Sequence, residues 1–127
     1  MKLKGYVALT AVLVMIPLLL LTGMELLYRN ITLLSTAKTN YDWQTLRTYS
    51  ETCLEESLYK LVLDENYTGE FNITQEDWTC TSNITDITGE DGFKLIVLET
   101  SNPEGINILL QKKVDTNYDP FKLYNIE

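Results

Sequence analysis

YVALTAVLVMIPLLLLTGM, residues 6–24, is the stretch on which the reading of this chain turns. Its 19 residues carry no charge. As a helix rising about 1.5 Å per residue it is about 28 Å long, close to the ~30 Å of a bilayer's hydrocarbon. A core helix of a soluble domain interrupts its apolar face with polar residues every third or fourth position, and this run does not. Lys2 and Lys4 precede it, Glu25 and Arg29 follow it, and acid dominates beyond. The basic end is therefore expected to stay cytoplasmic and the C-terminal part to lie outside. Three readings compete: a cleaved signal peptide, a plain signal anchor, and a third that rests on a resemblance given below. Against the first, the run exceeds the roughly 7–15 residues of a signal-peptide core, and no A-x-A site follows it. Pro17 removes one helical hydrogen bond and is expected to bend or loosen the helix. Gly23 is a second weak point.

Working outward, residues 25–63 read as more helix. Leu26, Leu27, Ile31 and Leu34 form one set. Leu46, Tyr49, Cys53, Leu54, Leu58, Leu61 and Val62 form another at spacings of three and four. The polar stretch between them has no Pro or Gly, so helix can run through it. DENYTG (64–69) is a turn cluster that ends the helix. Residues 71–73 are a short strand candidate, and 77–84 alternate weakly, with Trp78, Cys80 and Ser82 on one side. TGEDG (88–92) signals a hairpin. FKLIVLET (93–100) is a strand with both faces partly apolar: Phe93, Leu95, Val97 and Glu99 on one, Lys94, Ile96, Leu98 and Thr100 on the other. NPEG (102–105) turns into a strand over 106–114, and 121–124 is a candidate edge strand. The expected class is α+β: a long N-terminal helix, membrane-spanning in its first part, packed on an antiparallel sheet of three or four strands. The expected divisions are 6–24 in the membrane, 25–63 continuing the helix, and 64–127 forming the sheet domain with its tail.

Composition bounds the chemistry. The 127 residues include 18 acidic, 10 basic and no histidine, for a net charge of -8. That is room for one small domain. Phosphate binding needs a basic patch, so a nucleic-acid partner is not expected. The absence of histidine removes the commonest general base and metal ligand. Two cysteines are too few for an all-thiolate zinc site. Glu55 with Glu56, and Glu90 with Asp91, read as solvated faces rather than an acid–base pair. Asp115, Asn117 and Asp119 have the alternate-oxygen spacing of a calcium loop, but Pro120 stands where Gly is wanted and Ile126 where Glu is wanted. No catalytic residue, cofactor, metal or small-molecule substrate is expected.

A domain this small seldom holds on one core without a staple. Cys53, near the helix end, and Cys80, in the first good strand, are the candidates. Outside the cytoplasm two such cysteines usually pair. The alternative is two buried free thiols acting as small apolar residues.

The start MKLKG-YVALTAVLV resembles a type IV prepilin leader: a short basic segment ending in Gly, an aromatic or apolar next residue, then an apolar helix. The order of apolar segment, amphipathic helix and antiparallel sheet is similar to pilins over the whole chain. CLEESL (53–58), NYTG (66–69) and Cys80 are similar to a group of minor-pilin-like proteins. The resemblance implies that residues 1–5 are a leader, that prepilin peptidase cuts after Gly5, and that Tyr6 becomes a methylated amino terminus. It implies other pilin subunits as partners, and a pilus location once assembled. One position departs from it. Major pilins carry Glu at the fifth mature position, where it neutralises a neighbour's amino terminus; here that position is Thr10. Thr offers a hydroxyl and no charge; the same departure from Glu occurs in tip-located minor pseudopilins, which opens a tip or initiator role. Pro17, by softening the helix, would help it leave the bilayer for the filament.

Four N-x-[ST] sequons, at Asn30, Asn66, Asn72 and Asn83, support a rival reading: a single-pass surface glycoprotein module with no filament role.

Overall fold

The structure is a computed structural model and describes residues 2–126. Helix α1 spans Lys2–Leu63. Strands β1 (Gly69–Thr74), β2 (Thr79–Asp86), β3 (Phe93–Ser101), β4 (Asn107–Asp115) and β5 (Lys122–Asn125) follow in chain order. The class is α+β. The reading of residues 1–5 begins at Met1, and that of 64–127 ends at Glu127; both residues lie outside those described.

Internal contacts divide the chain between Tyr41 and Asp42. The first unit is helix alone. Its side chains from Tyr6 to Leu21 include no buried residue, and Leu13, Leu19 and Leu21 are each more than three-fifths exposed. Helix continues through Pro17. The ring removes the N–H that the Leu13 carbonyl would accept, but the flanking turns hold.

The second unit carries the last third of α1 on a five-stranded antiparallel meander ordered β1-β2-β3-β4-β5. The expected sheet of three or four strands is thus one of five. Both outer strands, candidates at 71–73 and 121–124 in the sequence, are formed, six residues long in β1 and four in β5. The helix ends at Leu63, where the sequence places its end. Residues 42–63 belong with the sheet, because their buried face is the sheet's cover.

That face consists of Leu46, Ser50, Cys53, Ser57 and Leu61, each no more than 2% exposed. The spacing of four, three, four and four keeps one side of the helix toward the sheet. Val62, expected on this face, is exposed. Two serines stand in it instead: Ser57 meets Ser82 of β2 at hydrogen-bond distance, and the buried Ser50 hydroxyl finds no hydrogen-bond partner among the described residues. On the sheet side, Cys80, Ser82 and Ile84 of β2, Ile96, Leu98 and Thr100 of β3, and Val114 of β4 are fully buried. The register places Ser82 opposite Leu98 and Ile84 opposite Ile96. Strand β3 therefore turns its 94–100 even-numbered face inward. Its other face, from Phe93 to Glu99, is half-buried or exposed. Tyr49 stacks on Trp78 with ring centroids 4.9 Å apart, joining the helix to the start of β2.

Candidate functional site

Gly5, Tyr6, Thr10 and Pro17 follow one another along the first turns of α1, in the unit whose described residues include none that is buried. Gly5 has no other side chain within reach of where a Cβ would stand. The Tyr6 ring is 67% exposed. Thr10 donates its hydroxyl back to its own helix, to the carbonyls of Tyr6 and Val7, each at 3.0 Å. Thr22 does the same with Leu18 and Leu19. Both threonine hydroxyls of the apolar run are satisfied locally, which is what a hydroxyl in hydrocarbon requires. One helix in the described residues is long and apolar enough to cross a membrane. In water each large side chain of this run would forgo about 1.5–3 kcal/mol of burial.

The second unit gathers the cysteines. Cys53 and Cys80 are fully buried, their Cα atoms lie 6.5 Å apart, and their sulfurs are bonded. The bond closes a loop of sequence separation 27, for which the chain-entropy argument gives about 3–4 kcal/mol. Beside it, the Ser57 hydroxyl donates to the Cys53 carbonyl at 2.8 Å. With its proton so used, it accepts from the Ser82 hydroxyl at 2.8 Å. The helix is thus tied to β2 twice, covalently at Cys53–Cys80 and by the buried serine pair one turn on. Sequence reasoning passed over Ser57, although its spacing from Cys53 places it on the same helix face.

Lys94 is the one buried lysine described, at 5% exposure. Its Nζ lies 2.5 Å from Asp86 Oδ1, its register partner across β2 and β3. The stem fills the end of the inner face and the charge reaches a half-open corner between Asp86 and Asn117. A groove of about 500 Å³ runs between α1 and β4, lined by Trp43, Arg47, Ser50, Leu54, Ile108 and Leu110. It exists because β5 stops opposite Lys112, leaving the first half of β4 without an outer neighbour.

The segment with calcium-loop spacing is used otherwise. Asp115 is buried, and its Oδ1 accepts from the Asn117 backbone N–H at 3.1 Å and from Asn117 Nδ2 at 3.0 Å. Asn117 also donates to the Asp91 carbonyl, and Thr116 donates both its N–H and its hydroxyl to the Gly92 carbonyl. These bonds lock the β4–β5 connection onto the β2–β3 hairpin. Gly92 is required there: its φ is +80°, and a Cβ would meet Asn117 at 2.2 Å. Among the described residues no set of three acidic or cysteine side chains is placed to hold a metal ion.

No family model matches the chain, and neither curated proteins nor solved structures yield a match. The functional groups in view are the chain's own residues. These separate into a helix that is apolar on every side and a sheet domain closed by its own covalent tie.

Proposed function

We propose that the chain is a minor pilin-like or pseudopilin-like subunit of a type IV pilus or a related secretion filament, with a structural role and no enzymatic one. The observation that carries this reading is a continuity. A short basic segment ending in Gly5 runs into an uncharged helix, and the same helix runs on to become the cover of a disulfide-tied antiparallel sheet. Prepilin peptidase is the proposed first partner, cutting between Gly5 and Tyr6. Lys2 and Lys4 hold that junction at the cytoplasmic face, and residues 42–126 stand outside.

Assembly then exchanges lipid for like helices. Ala8, Thr10 and Ala11 lie within one turn, and small residues allow close helix approach. The proline-softened turn at Pro17 eases departure from the bilayer. A carboxylate buried in hydrocarbon needs a cation beside it. Thr10 has no such need, and its hydroxyl is already satisfied within its helix. A subunit built this way fits a filament end, where no neighbouring amino terminus has to be neutralised.

The mass of the mature N-terminus tests the reading. A start at methylated Tyr6, lost in a Gly5→Val variant, is the expected result. An intact Met1 supports the single-pass anchor with no filament role, and a start beyond Gly23 supports a signal peptide.

A further inference from the structure

We propose that Asn66 is an acceptor for an N-linked glycan, and that it is the favoured acceptor among four sequons spelled alike. The proposal rests on the outward placement of residues 42–126 and is independent of the filament. Sequence alone does not rank Asn30, Asn66, Asn72 and Asn83, since each begins an N-x-T triplet. Their surroundings do.

An amide nitrogen is a poor nucleophile, because its lone pair is shared with the carbonyl. A transferase must therefore grip the Asn amide and the Thr hydroxyl together, which requires a backbone free to turn between them. Asn30 lies within α1, where residues two apart do not face each other. Its partner Thr32 already donates its hydroxyl to the Tyr28 carbonyl at 3.0 Å. Asn72 and Asn83 share a sheet face with their threonines, but their backbones are held in the ladder. Asn72 pairs with Thr81, and Asn83 pairs with Glu70 on one side and Val97 on the other. Turning either triplet would break strand pairing.

Asn66 stands in the connection between Leu63, the end of α1, and Gly69, the start of β1. This segment is already a turn: the Tyr67 N–H donates to the Asp64 carbonyl at 2.9 Å, and the Asn66 N–H donates to Asp64 Oδ1 at 3.0 Å. Asn66 and Thr68 are both exposed. Tyr67 between them packs against the core, with Lys60 Nζ 5.8 Å from its ring centroid. The middle residue is thus anchored inward while both reacting groups remain outside.

The step is a substitution. The Asn66 amide nitrogen attacks the anomeric carbon of a polyprenyl-diphosphate-linked sugar. The bond from that carbon to the phosphate oxygen breaks, and the lipid diphosphate leaves with the electron pair. The amide proton passes to a base on the transferase.

Full-length protein purified from its native membranes and cleaved after glutamate gives the test. Cuts after Glu65, Glu70, Glu76 and Glu90 place Asn66 in peptide 66–70, Asn72 in 71–76 and Asn83 in 77–90. Peptide 66–70 should carry added sugar mass that Asn66→Gln abolishes, with 71–76 at its bare mass. A bare 66–70, or sugar on Asn72 or Asn83 while Asn66 is bare, overturns the proposal. Alkylation of unreduced, denatured protein reads topology separately. Unreactive cysteines with a bare Asn66 overturn the glycan alone, and two reactive thiols with a bare Asn66 count against the outward placement as well.

Discussion

Residues 2–41 and 42–126 reach order by opposite routes. The first unit is helix whose described large apolar side chains, from Tyr6 onward, stay exposed, so its stability must come from the medium around it. The second encloses Cys53, Leu61, Ile84, Ile96, Leu98 and Val114 to the last few square ångströms, and draws on water's exclusion from its interior. Apolar residues are abundant in both. What separates them is patterning: a run without polar interruption has no inside, whereas alternation at spacings of two, three and four creates one. The difference teaches that the same Leu should matter in one unit and be nearly silent in the other.

The largest effect is expected from Leu98→Ala. Truncating this fully buried side chain should lower the unfolding free energy of the sheet domain by about 2–5 kcal/mol in denaturant titration. Leu19→Ala, at 70% exposure, should leave that transition unmoved. A comparable loss at both positions would break the comparison.

The disulfide comes next. Replacing Cys53 and Cys80 together by Ala should cost about 3–4 kcal/mol, read in the same titration. The mirror experiment lies in the first unit. Ile16→Asp should reduce membrane integration by about 3–4 kcal/mol in an insertion assay and leave the sheet domain's near-ultraviolet circular dichroism unchanged.

A finer cut concerns the serine pair. Ser57→Ala should cost about 1–3 kcal/mol, because it strands the Ser82 hydroxyl in a buried place. Removing both hydroxyls should cost less than the sum of the single changes, a coupling that a double-mutant cycle measures.

These contrasts track what the sequence makes legible. The apolar run announces itself, because 19 uncharged residues have few other uses. Strand β3 is equally plain, but with apolar residues on both faces its inner side is fixed only by what it packs against. The even-numbered face wins because Ile96 and Leu98 meet Ile84, Ser82 and the helix. Strands β1 and β5 are legible only as short candidates at 71–73 and 121–124, because six and four residues barely show a period. Ser50 and Ser57 do not read as core because a serine is polar, yet both are buried, and Ser57 is matched by Ser82 across the helix–sheet contact. The Asn117 lock was hidden behind a calcium-like spacing, since chain order cannot say whether a carboxylate will meet a cation or a neighbouring amide.

Under the proposed function the exposed apolar helix belongs, in the end, to a filament of like helices. Immunogold labelling of native filaments with an antibody against the sheet domain tests it most directly. The account predicts sparse gold concentrated at filament ends. Gold spread evenly at the density of a major subunit would contradict the end position, and filaments without any gold, with the protein confined to membranes, would contradict the claim itself.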